Sequence, residues 1–92
     1  MSTWLIIAEE LVTTDGATSQ RQVKVVRPLN GNKTREEALV ELHKEAKNYT
    51  SDSLKRPSTV VGRDGDGSFW VLPKNGNGHA SCNLRLIEQI RP

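Results

Sequence analysis

The segment TREEALVELHKEAKNY (Thr34–Tyr49) decides how the rest of the chain is read, because no other stretch has helical periodicity. Thr34 followed three residues later by Glu37 makes a capping box, in which each side chain satisfies a backbone N–H of the other at the helix start. Glu36 and Glu37 stand in the first turn and Lys44 and Lys47 near the end, the distribution that a helix dipole favours. Ala38, Leu39, Leu42, Ala46 and Tyr49 fall within an arc of about 100° when each residue advances about 100°. That stripe is the packing face. Val40 lies off it, between Glu36 and Lys44, and is expected on the surface.

Around this helix the sequence reads as strands. Trp4 to Thr13 and Arg21 to Arg27 are the first two, and Asp15-Gly16 between them is a hairpin signal, because a tight type I′ turn needs positive φ at both central residues. With Asp15 and Gly16 at the turn centre, Thr14 faces Ala17, Leu5 faces Val26, Ile6 faces Val25 and Ala8 faces Val23. One face then collects Trp4, Ile6, Ala8, Val23 and Val25. The other collects Leu5, Ile7, Leu11 and Val26, interrupted by Glu9, Gln22 and Lys24. A slip of one residue would exchange the faces on one strand.

After the helix, Thr50 to Pro57 is a polar connection with Leu54 as its one large apolar residue. Ser58 to Arg63 and Ser68 to Leu72 are two further strands joined by Asp64-Gly65-Asp66-Gly67. A two-residue loop anywhere in that tetrapeptide puts Phe69 with Val60 and Val71, and Trp70 with Val61 and Leu72 on the opposite face. Lys74 to His79 is a Gly/Asn loop. Ser81 to Ile90 is the last strand, with Cys82, Leu84 and Leu86 on one face and Asn83, Arg85 and Ile87 on the other.

The expected fold is therefore a single α+β domain over residues 1–92, in two layers: an antiparallel sheet with one helix packed on one face, in the order β-β-α-β-β-β. The helix covers one face of the sheet. The far face is expected to hold Leu5, Ile7, Val26, Ile87 and either Phe69 or Trp70. Three occupants for it are open: a second copy of the chain, the Thr50 to Pro57 loop carrying Leu54, or a partner molecule.

Composition narrows the class. At 92 residues and 35% hydrophobic, the chain is at the small end of domains that fold alone. A net charge of +2 and a pI near 8.9 are too mild to imply nucleic acid or an anionic membrane. Residues 1–16 carry only acids and residues 17–35 only bases, so a hairpin between them would cancel charge across strands. Cys82 is the only cysteine, no run approaches the ~20 apolar residues of a membrane span, and the start carries no basic n-region, all of which fits a cytoplasmic protein.

No motif rises to a catalytic or metal signature. Asp64-Gly-Asp66-Gly-Ser68 opens like a calcium loop but has Phe69 where the sixth-position Gly belongs and Asn75 in place of the final Glu. Cys82 and His79 would be the nucleophile and base of a small enzyme, yet alternation places Cys82 among Leu84 and Leu86, as a buried small hydrophobe. No cofactor is expected. Gly67-Ser-Phe69-Trp70-Val71 resembles the aromatic strand of RNA-recognition motifs, whose exposed rings stack on bases. Asp64 and Asp66 have the wrong sign for RNA, and the second helix of that fold is missing. Thr34-Arg-Glu-Glu-Ala-Leu39 is similar to the helix opening of some small bacterial antitoxin domains, over six residues of general capping chemistry and with a different order of elements. No family is assigned.

The functional expectation is a non-enzymatic interaction module that self-associates as a homodimer through the sheet face left uncovered by the helix. Another protein is a further possible partner. Its candidate residues are Leu5, Ile7, Val26, Phe69, Trp70, Ile87, Lys24 and Arg85. The alternative is single-stranded nucleic-acid binding by a sheet aromatic together with Arg21, Lys24, Arg27 and Arg85.

Overall fold

The structure is a computed structural model that describes residues 3–13, 19–50, 54, 59–65, 67–74 and 80–91. Among these residues one helix, α1 (Arg35–Asn48), packs on a five-stranded antiparallel sheet of β1 (Thr3–Thr13), β2 (Ser19–Pro28), β3 (Thr59–Arg63), β4 (Ser68–Pro73) and β5 (Ala80–Gln89). The two-layer α+β fold and the element order are those expected. In space the strands run β2-β1-β5-β4-β3, so the first and last strands of the chain are central neighbours.

The helix forms as its caps dictate. Thr34 Oγ1 accepts the N–H of Glu37, and Glu37 Oε1 accepts the N–H of Thr34, at 3.2 and 2.9 Å. The Thr34 N–H and, at 3.2 Å, the Thr34 hydroxyl both donate to Glu37 Oε1 and hold the Glu37 carboxyl below the usual carboxylate range. Ala38, Leu42 and Ala46 are fully buried, Tyr49 nearly so, and Val40 is exposed. Their sheet partners are Ile6 and Ala8 of β1, Cys82 and Leu84 of β5, and Phe69 and Val71 of β4. Leu29, just past β2, joins the same core, its N–H donating to the Trp4 carbonyl at 2.9 Å. The Trp4 indole N–H donates in turn to the Lys33 carbonyl at 3.0 Å, which ties the helix entry to β1. Arg27 ties β2 to the helix, with Nε 3.1 Å from Glu45 and Nη2 3.2 Å from Glu41.

Both hairpins differ from the expected register by one residue, for the same reason. In β1–β2, Ile7 faces Val25 and Glu9 faces Val23, and the ladder closes with Thr13 opposite Ser19. Five residues lie between, and an odd connection has the opposite parity to a two-residue turn at Asp15-Gly16, a turn that falls outside the described residues. Val23 and Val25 consequently lie on the face away from the helix, and Lys24 and Gln22 on the helix face, the reverse of expectation. A register shift opposite Ile6–Ile7 leaves Val26 unpaired, and Val26 packs against the helix-side core instead of the far face. Such a bulge adds one residue to one strand and changes which way the next side chain points.

In β3–β4, Arg63 faces Phe69 and Val61 faces Val71, so Val61 shares the Phe69 face and Val60 lies opposite Leu72 on the Trp70 face. Here too five residues separate the last pair. Asp64 N–H donates to the Ser68 carbonyl at 2.9 Å, and Gly65 and Gly67 take φ of 65° and 84°. The third correction concerns Leu54. It is 1% exposed and belongs to the helix-side core, so it is not the cover of the far face.

Gly67 and Gly62 separate conformational strain from space. A Cβ at Gly67 would keep φ at +84° and stand 3.1 Å from Arg35 Nη2, whereas a Cβ at Gly62 meets nothing within 4 Å. Gly67→Ala is expected to cost about 1–2 kcal/mol, and Gly62→Ala to be neutral or to stabilise by up to ~1 kcal/mol. Urea denaturation of the two variants measures both; equal losses would contradict the turn geometry.

Candidate interaction face

Alternation along the strands places Leu5, Ile7, Glu9 and Leu11 of β1 on the face opposite the helix. Their neighbours are Arg21, Val23 and Val25 of β2, and Asn83, Arg85 and Ile87 of β5. Ser68, Trp70 and Leu72 of β4 and Val60 of β3 complete that face. Its apolar side chains divide into two areas. Around β2 and β1, Val23 and Val25 are 52% and 55% exposed, with Leu5, Ile7 and Ile87 beside them. Around β4 and β3, Val60, Trp70 and Leu72 are each exposed by more than a third. Ile7 itself is buried, and the exposure of Val23, Val25, Val60, Trp70 and Leu72 leaves most of both areas open.

A polar seam runs between them. Glu9 accepts Arg21 Nε on one side and Arg85 Nη2 at 3.0 Å on the other. Two guanidinium groups thus share one carboxylate, and Arg85 Nε is buried without a hydrogen-bond partner. Asn83 is nearly buried and donates from Nδ2 to Ser68 Oγ at 2.7 Å and to the Phe69 carbonyl at 3.1 Å. Trp70 Nε1 donates to Asp64 Oδ2 at 2.8 Å, which fixes the indole at the rim of the face.

Five of the eight residues singled out from sequence meet on this face: Leu5, Ile7, Trp70, Ile87 and Arg85. The other three do not. Phe69 is buried under the helix with its ring 5.4 Å from that of His43, Val26 is in the bulge, and Lys24 reaches Glu10 on the helix side at 3.7 Å. Sequence reasoning left Val23 and Val25 off this face. Their alternation with Gln22 and Lys24 was visible, but its phase relative to β1 was not. The four bases of the nucleic-acid alternative are split, Arg21 and Arg85 on the far face and Lys24 and Arg27 on the helix side, and each has a carboxylate partner.

The polar groups buried on the helix side include Cys82 and Tyr49. Cys82 is fully buried, and burial pushes its thiol up to about 11. Burial first, then Cys82 and Glu10 nearby, raise the Tyr49 hydroxyl above the usual phenol range, and its Oη has no partner in hydrogen-bonding geometry. His79 lies outside the described residues. Among the described residues no three His, Cys, Asp or Glu side chains are placed to hold a metal, and no helix is long and apolar enough to cross a membrane.

Compared with protein-family models, with curated proteins and with solved structures, the chain has no significant match.

A thiol held neutral in the core is a poor nucleophile. Cys82 is therefore expected to resist alkylation by iodoacetamide at pH 8 in the folded protein and to react fully once the protein is unfolded in guanidinium. Rapid labelling of the native state would show that the β5–α1 interface is not closed.

Proposed function

We propose that this protein is a non-enzymatic interaction module of the cytoplasm that self-associates, sheet against sheet, through the face opposite the helix. The observation that carries this reading is the pair of exposed apolar areas on a sheet face of matching size. Strands of five to eleven residues, at about 3.3 Å per residue and about 4.8 Å apart, give a face of roughly 600–700 Å². Each partner in a standard interface contributes about 800 Å². Two twisted sheets that pack face to face within about 30° bury alternate side chains of both inner faces, and here those side chains are Val23, Val25, Ile87, Trp70 and Leu72. A two-fold pair also uses the same patch twice, as most soluble oligomers do. Glu9 offsets one of the two charges of Arg21 and Arg85 before association, which lowers the cost of burying this seam.

One observation favours the second reading, single-stranded nucleic acid. Trp70 is 36% exposed and shares the face with Arg85. Stacking on such a ring contributes about 1–3 kcal/mol per base, and binding would weaken steeply with salt.

Light scattering across concentration and salt tests the first reading. A dimer that persists in high salt is expected. Val25→Asp, at a half-exposed position, should dissociate it while leaving the circular dichroism unchanged, and Val40→Asp, on the helix, should leave it intact. A strict monomer at millimolar concentration would overturn self-association. Trp fluorescence quenched by an oligonucleotide only at low salt would then favour the second reading.

A further inference from the structure

We propose that the groove between α1 and the β3–β4 hairpin, on the opposite side of the molecule from the proposed interface, binds a small monocarboxylic acid with an apolar body. The groove measures about 190 Å³ and is lined by Leu39, Val40 and His43 from the helix and by Arg63, Gly67 and Phe69 from the hairpin. That volume corresponds to about six waters at their liquid density, enough for one aromatic ring or a short acyl chain.

Three features define what fits. The first is charge. Of the four sheet arginines Arg21, Arg27, Arg63 and Arg85, Arg63 alone has no carboxylate partner among the described residues. Asp64, next to it in the chain, is turned to the other face, where it accepts from Trp70. No described carboxylate lines the groove. An Arg guanidinium presents two parallel N–H donors that match a carboxylate.

The second feature is the apolar lining. Phe69 is held in place against the His43 ring at 5.4 Å, and Leu39 and the exposed Val40 continue this surface along the helix. The His43 imidazole adds one polar group at the rim, so the groove combines a few placed polar groups with apolar walls, as small-molecule sites do. A phosphate would match the guanidinium but leave the apolar walls of Leu39, Val40 and Phe69 unfilled.

The third is access. Gly67 has no side chain, and a Cβ there would meet Leu39 Cδ2 at 3.5 Å and Arg35 Nη2 at 3.1 Å. Glycine thus keeps the groove open at the hairpin end, beside the Arg35 guanidinium.

The test is an amide and side-chain NMR titration of the full chain with benzoate, with benzamide and inorganic phosphate as probes of the charge and of the apolar body. Saturable shifts at Val40, His43, Arg63, Gly67 and Phe69 are expected with benzoate, and binding at least about tenfold weaker with benzamide or phosphate. Arg63→Gln should weaken benzoate by a similar factor. Val40→Glu, at an exposed helical position, should abolish binding without disturbing the fold. Both variants should keep the oligomeric state of the wild-type protein, which separates failure here from failure of the sheet-face reading. Shifts that do not saturate, that map elsewhere, that phosphate or benzamide reproduces equally, or that survive both substitutions would each overturn the proposal.

Discussion

The register of β1 against its two neighbours is the constraint on which the rest of the structure depends. β1 is paired along nearly its whole length on both sides, to β2 and to β5. Its even positions Ile6 and Ala8 of the helix-side core could not exchange with Leu5 and Ile7 without breaking both ladders.

 Side chains alternate strictly along a strand, so one choice of phase sorts every residue of the sheet to one side or the other. The odd connection between β1 and β2 then sends Val23 and Val25 to the open face, and the bulge at Val26 returns Val26 to the core. The apolar surplus on the far side follows from these two backbone features.

The helix side is closed by interactions of a different kind. The capping box starts α1, Ala38, Leu42 and Ala46 bring it close to the sheet, and it lies chiefly over β5 and β4. That position leaves β2 at the margin, where Arg27 reaches Glu41 and Glu45. The Arg27 guanidinium also holds the Glu41 carboxyl below the usual carboxylate range. These are exposed ion pairs, each of which contributes little to stability. Their effect is positional: they align the edge strand with the helix, while burial of Leu29 and Leu54 seals the core around them.

Much of this was legible in the sequence. Thr34 and Tyr49 are the two caps of the helix, Val40 is exposed, and Cys82, Leu84 and Leu86 of β5 face the helix. The separation of acids and bases between the first two strands appears as the pairs Glu9–Arg21 and Glu10–Lys24. These features depend on local periodicity or on charge. The phase of each hairpin depends on how many residues the connection holds out of the ladder, and the strand residues do not encode that number. Asp15-Gly16 and the Asp64–Gly67 tetrapeptide signal that the chain turns, without specifying where pairing stops. Leu54 was equally hidden, because a single apolar residue in a polar connection has no period. The groove brings together helix residues 39–43 and hairpin residues 63–69, whose proximity arises only when α1 lies over β4.

The most direct test of the account is the cross-strand pattern of nuclear Overhauser contacts between β1 and β2. The account predicts contacts that pair Ile7 with Val25 and Glu9 with Val23, with Val26 left without an opposite residue. Contacts pairing Ile6 with Val25 and Ala8 with Val23 would contradict it, since Val23 and Val25 would then lie beneath the helix and the open face would lose the side chains on which its proposed role rests.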